Sequence, residues 1–263
     1  MTSILFPTDF SLNALSALHY AYELSAYAGG ELTLLHVTTD NVTDEEAGMY
    51  RLREVSEELH KHFIEKDGVR FSFRLQHGEA AKGICAECES DGYHIVAMGT
   101  RGASRAATQA IGSVAAETIK LVQLPVLVIP YFAEFRPIQK IVYAIDYNAF
   151  DADKIKSLKA FADVFDAEIT LLHVNPSEPF FDESRFENYR KTMLAVTDYE
   201  KLRFDFVKGD DVTSALDKYV SENKADLVAM TTRQPQLMEA TMHSSVTREM
   251  SLYSKVPLLA FHE

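Results

Sequence analysis

Gly99, Gly102, Gly112 and Ser113 stand in the spacing Gly-x2-Gly-x9-Gly-Ser. A loop of such residues lets backbone N–H groups approach phosphate oxygens, and a helix opening at Ser113 adds the partial positive charge of its N-terminus. Arg101 and Arg105 flank the loop and can neutralise phosphate charge; plain solvation is the other role open to them. Asp9 follows the apolar run ILFPT and can accept hydrogen bonds from an adenine or ribose edge. It can equally be a turn or N-cap residue for the next helix, with Ser11 as the rival cap. The Ser113 hydroxyl can meet a phosphate or cap its own helix, and the two roles are compatible.

These residues need strands and helices to aim them, and an internal repeat shows where those lie. ELTLLHV (31–37) matches EITLLHV (168–174) in six of seven positions, an offset of 137 residues. At that offset ILFPTDF from Ile4 meets IVYAIDY from Ile141, so Asp9 faces Asp146. VAMGTRG from Val96 meets VAMTTRQ from Val228 at an offset of 132, which continues through Pro125 and Pro257. Two homologous halves follow.

Each half reads as alternating strands and helices. Helical patterns cover Asn13–Ala28 and Ala152–Phe165, then Glu45–Lys66 and Glu183–Ala195. Third strands cover Arg70–Leu75 and Leu202–Val207 ahead of Gly78 and Gly209. Such alternation predicts right-handed crossovers and a parallel sheet, an α/β fold, with ligands beyond the C-terminal strand ends. The linker YFAEFRP (131–137) is short, so the halves pack together. The fifth strands, within LPVLVIP and VPLLAFH, are expected to pair edge to edge about a pseudo-twofold axis, hiding two exposed edges. Association of two whole chains into a dimer is a further possibility.

The chain has 263 residues, 47% hydrophobic and 25% charged, a composition that supports buried cores. Its formal net charge of −13 opposes binding to nucleic acid or an anionic membrane surface, although local backbone donors still suit a single nucleotide. No apolar run approaches the roughly 20 residues of a membrane span, and no signal peptide is evident. A cytoplasmic location is expected. Cys85 and Cys88 form a C-x-x-C inside a helical pattern, which predicts two reduced thiols, at least one of them packed, and no zinc site, because no second pair of ligands exists.

The assembly of ILFPTDFS, LLHV and VAMGTRG…IGSVAAETIKLVQLPVLVIP resembles the universal stress protein family, over nearly the whole chain and twice. The glycine pattern resembles that of the ATP-binding members. The resemblance implies two flavodoxin-like (adenine nucleotide alpha hydrolase-like) three-layer sandwiches, each with a five-stranded parallel sheet. Residues 1–133 would carry the nucleotide-binding loop and 138–263 a degenerate one. It implies that Asp9 and Val37 contact adenine, and that Pro7, Thr8, Met98 and Gly99 line the nucleoside pocket. It implies too that Gly102, Gly112, Ser113 and Val114 hold the phosphates of ATP, or of ADP or AMP, with Mg²⁺ as a companion ion.

The second half departs from that pattern. Thr231, Gln234 and Ser244 replace Gly99, Gly102 and Gly112; Ser245 alone survives, and Ala144 and Ile145 replace Pro7 and Thr8. Each added Cβ is expected to fill space that phosphate needs, so one nucleotide site per chain is expected. His243 and His173 raise a metal or small-ligand alternative, against which packed or solvated histidines are the plainer reading. No G-x-x-x-x-G-K-[ST] loop is present and no general base is evident near Gly112, so a regulatory nucleotide-binding protein is expected rather than an efficient ATPase. Slow ATP hydrolysis and a nucleotide-free interaction scaffold are the alternatives. A phosphorelay receiver is disfavoured, because no acidic pair follows the first strand and no lysine precedes Pro125.

Overall fold

In the computed structural model of the protein the residues described are 2–38, 42–63, 69–90, 92–100, 112–145, 152–175, 183–209, 211–232 and 256–262. The first half runs β1 (Ser3–Pro7), α1 (Leu12–Tyr27), β2 (Glu31–Thr38), α2 (Val42–Phe63), β3 (Arg70–His77), α3 (Ala80–Cys88), β4 (Ile95–Gly99), α4 (Ser113–Leu121) and β5 (Val126–Ile129). The second runs β6 (Lys140–Ile145), α5 (Ala152–Asp163), β7 (Glu168–Asn175), α6 (Glu183–Thr197), β8 (Leu202–Lys208), α7 (Val212–Asn223), β9 (Leu227–Thr232) and β10 (Leu258–His262). The expected alternation is present, with shifts of one to three residues at several ends. Helix α1 opens at Leu12 because Ser11, not a later residue, caps it: its side chain accepts from the Ala14 N–H.

The strands lie in one ten-stranded sheet of order β3-β2-β1-β4-β5-β10-β9-β6-β7-β8. Every neighbouring pair is parallel except β5 and β10, which are antiparallel through Val128↔Leu258, Leu127↔Leu259 and Val126↔Ala260. The antiparallel junction joins the strands of both halves in one sheet. The repeat is kept in register, because Ser3 sits opposite Glu31 in one half and Lys140 opposite Glu168 in the other. This is an α/β fold of the flavodoxin-like class, with a predominantly parallel sheet and seven helices among the described residues.

Strand alternation divides the core in two. Phe6, Leu34, Tyr143 and Leu171 face α1, α2, α5 and α6, whereas Leu5, Leu35, Val142 and Val228 face α3, α4 and α7. Burial on both faces explains why the central strands read as unbroken apolar runs. Helix α1 and the turn after α5 meet through rings: Tyr27 stacks on Phe165 at 5.1 Å and 10°, and Phe135 of the linker packs edge-on to Tyr20 at 5.3 Å. At the far side of the junction the His262 imidazole Nε2 lies 2.9 Å from the Lys120 carbonyl, joining β10 to the last turn of α4.

Leu127 is fully buried at the junction. Leu127→Ala is expected to cost about 2–5 kcal/mol, measured as a lower urea midpoint with unchanged slope.

Candidate functional site

Three strand ends and one helix start meet around a cavity of about 290 Å³. At the end of β1 the chain extends the ladder for one residue, with the Thr8 N–H donating to the Leu35 carbonyl at 2.8 Å. A tight turn follows. The Thr8 hydroxyl accepts from the Phe10 N–H at 3.0 Å, and an Asp9 carboxylate oxygen accepts from the Ser11 N–H at 3.0 Å. Phe10 takes a left-handed backbone conformation (φ 59°), which costs a bulky residue energy and persists only where its surroundings over-determine it. Its ring packs on His36 at 4.6 Å, with the Arg51 guanidinium 5.9 Å above it. His36 Nδ1 in turn lies 2.8 Å from the Thr8 carbonyl, the geometry of a protonated Nδ1 donating to it. Asp9 is therefore a turn residue as well as an exposed rim carboxylate, while the capping role belongs to Ser11.

The apolar walls come from β2, β4 and α3. Leu35 and Val37 leave β2, Met98 leaves β4, and Ala80 and Ile84 project from α3. Gly83 is what allows α3 so close: a Cβ there would lie 2.7 Å from Val37 Cγ1. Gly99 has a comparable reason, since a Cβ there would lie 3.1 Å from the Asn13 carbonyl oxygen of α1. The close neighbour is the helix backbone, so Gly99 shapes the wall by admitting α1.

Opposite these walls stands the start of α4. Gly112 is its N-cap, in an extended conformation (φ −66°, ψ 155°), and no side chain caps the helix. The Gly112 N–H donates to the Thr100 carbonyl at 2.6 Å, and the first helical bond runs from the Ala116 N–H to the Gly112 carbonyl at 3.1 Å. Ser113 is thus the first helical residue, not the cap. The backbone of Ser113, Val114 and Ala115 carries the N–H groups that a helix start leaves without intrahelical partners, and all three residues line the cavity.

Of the residues singled out from the sequence, Pro7, Thr8, Asp9, Val37, Met98, Gly99, Gly112, Ser113 and Val114 line this one cavity. Arg101, Gly102 and Arg105 lie outside the described residues. His36, Ala80 and Ile84 were not foreseen; the helical spacing of Ala80 and Ile84 was the available signal.

The two cysteines lie behind the wall on α3 and are free thiols. Cys85 Sγ donates to the Leu121 carbonyl at 3.5 Å. Burial foremost, then Cys85 and Glu87 nearby, pushes the Cys88 thiol up to about 12, so it stays protonated and poorly nucleophilic at neutral pH.

The second half keeps part of this geometry. His173 Nδ1 lies 3.2 Å from the Ile145 carbonyl, matching His36 and Thr8. At the position of Gly99, Thr231 shares a hydrogen bond of 2.6 Å with the hydroxyl of Tyr143, which stands where the first half has Phe6. Among the described residues no group of three or more His, Cys, Asp or Glu side chains could hold a metal. Asp146, His243 and the stretch holding Gln234, Ser244 and Ser245 lie outside the described residues.

A flavodoxin-like sheet with a cavity at its switch point defines a broad class of ligand-binding α/β proteins. Residues 1–130 match the model of the Universal stress protein family. No curated protein matches the chain. Among solved structures, a universal stress protein from Archaeoglobus fulgidus DSM 4304 superposes with a TM-score of 0.73 at 19% identity, over 99% of this chain and 96% of that one. A functionally unknown protein from Pseudomonas aeruginosa PAO1 gives 0.67 at 17%, over 100% and 92%. The cytoplasmic domain of a prokaryotic cation chloride cotransporter gives 0.56 at 11%, over 98% and 94%. At these identities the likeness is one of fold. No helix among the described residues is long and apolar enough to cross a membrane.

Two outcomes test this description. Ser11→Ala is expected to lower stability by about 1 kcal/mol through loss of the α1 cap, read by denaturant unfolding. In the folded protein Cys88 is expected to resist alkylation at neutral pH, and after denaturation both thiols react, as peptide mass spectrometry will show.

Proposed function

We propose that the first half binds one adenine nucleotide per chain, ATP or its di- or monophosphate, and that the protein acts as a regulatory nucleotide-binding component of a stress response. The observation that carries this reading is the pairing, across one cavity, of apolar walls with a helix start that no side chain caps. A purine ring fits between Val37, Ile84 and Met98, where its transfer from water is favourable. Asp9 at the rim supplies an acceptor for an exocyclic amine or ribose hydroxyl. The N–H groups at Ser113, Val114 and Ala115, with the α4 dipole, suit phosphate oxygens. In this reading Arg101 and Gly102 complete the phosphate end, and Mg²⁺ neutralises phosphate charge. Backbone donors recognise phosphate locally, so the overall negative charge of the chain is no obstacle.

The same reading makes residues 138–263 a second copy of the domain that has lost its nucleotide site, with 1–133 as the first. Support comes from the shared strand order around the β5–β10 junction and from the repeated histidine–carbonyl contact. Efficient ATP cleavage is not part of the proposal. Among the described residues Asp9 is the one carboxylate lining the cavity; this reading sets it at the nucleoside end, and its carboxylate is engaged in its turn.

Nucleotide released from the purified, denatured protein is expected at about one per chain. Gly112→Arg should abolish it and weaken added ATP at least about 100-fold, roughly 2.8 kcal/mol. Because Gly112 is in an extended conformation that any residue adopts, the variant should still fold. Absence of co-purified nucleotide together with no binding of added ATP would overturn the reading in favour of a scaffold.

A further inference from the structure

A second cavity, of about 210 Å³, opens at the N-terminal ends of β6, β7 and β8 beneath the last turns of α7. Its origin is legible by comparing the halves. In the first half the equivalent space is filled by Tyr93, whose hydroxyl donates to Glu87 at 3.0 Å. Gln76 donates to the other oxygen of the nearly buried Glu87 at 2.7 Å, and Thr33 and Ser72 bond each other at 2.9 Å. At the 132 offset Tyr93 becomes Ala225 and Glu87 becomes Tyr219. The ladder pairs Thr33 with Ser72 and Thr170 with Arg203, so Arg203 stands where the first half has serine. With alanine at 225 the space that Tyr93 fills in the first half is open, and Tyr219 and charged side chains line it.

Those side chains are balanced in sign. Lys140 and Arg203 bring two positive charges; Glu168 and Asp205 bring two negative ones. Arg203 Nε lies 3.3 Å from a Glu168 carboxylate oxygen, Lys140 Nζ donates to the Asn223 carbonyl at 3.2 Å, and the Tyr219 hydroxyl donates to Asp205 at 2.8 Å. Arg203 and Glu168 are both part-exposed, so their mutual attraction is weak and each can turn to a ligand. A ligand of single charge would meet a like charge on one wall. A ligand carrying both signs meets its complement on each.

We propose that this cavity binds a small α-amino acid as its zwitterion, carboxylate toward Lys140 and Arg203 and ammonium toward Glu168 and Asp205, with the Thr170 and Tyr219 hydroxyls completing the polar lining. The volume of about 210 Å³ leaves room for a small amino acid. The site is separate from the first-half cavity and does not depend on its ligand.

The full chain is titrated by calorimetry with glycine, alanine, serine and threonine, and with acetate and methylammonium as single-charge controls. The expected result is saturable binding of at least one amino acid, with neither control binding. Ala225→Tyr, which restores the first-half ring, and Arg203→Ser, which restores the first-half serine, should each weaken that binding at least about tenfold. If one variant does not unfold cooperatively, the other gives the same reading. Binding of no amino acid, equal binding of acetate, or binding indifferent to a folded variant would overturn the proposal.

Discussion

The antiparallel ladder between β5 and β10 is the constraint on which the molecule depends. Each half alone would be a parallel sheet ending in an apolar strand, Val126–Ile129 or Leu258–His262, with a row of unpaired backbone groups along it. Joining the two removes both edges at once and leaves β3 and β8 as the outer strands. The four residues of β5 are buried, as are the first four of β10. The aromatic contacts among Tyr20, Tyr27, Phe135 and Phe165 cover the same seam from the face of α1 and α5.

Building the molecule from a repeated unit lets each half serve as the reference for the other. The contact of His36 with Thr8 and that of His173 with Ile145 hold the first and second strand ends together in both halves, so that contact belongs to the framework. Differences elsewhere are informative. Gly99 admits α1 to the wall of the first cavity, whereas Thr231 is tied to Tyr143. Tyr93 closes a space that Ala225 leaves open. Each half therefore has a cavity where the other has substituted side chains, at opposite ends of the parallel strands.

Much of this was legible in the sequence. The match of ELTLLHV to EITLLHV carries the register of both halves, because equivalent residues occupy equivalent rungs. Strand ends gather ligand-facing residues in any parallel sheet, and Pro7, Val37, Met98 and Gly112, which the family resemblance named, line one cavity. The details that were not legible depend on tertiary distance. Gly99 and Gly83 are set by Asn13 and Val37, residues remote in sequence. The choice of Gly112 over Ser113 as the cap depends on where the Thr100 carbonyl holds the chain. The second cavity was encoded as Tyr93 against Ala225, but a missing ring has meaning only once its neighbours are known.

The contact between His262 and the Lys120 carbonyl bears on how far the two halves are separate entities. Helix α4 begins at the cavity and ends on a residue of the last strand, so the first half borrows one of its helix-end partners from the end of the chain. A chain cut after residue 130 would keep every cavity-lining residue yet lose that anchor and bare the whole edge of β5. It would have to recruit a second polypeptide along that edge to recover what the intact protein carries within itself. In the intact chain β10 covers the edge of β5 from within the same polypeptide, so dilution does not uncover it.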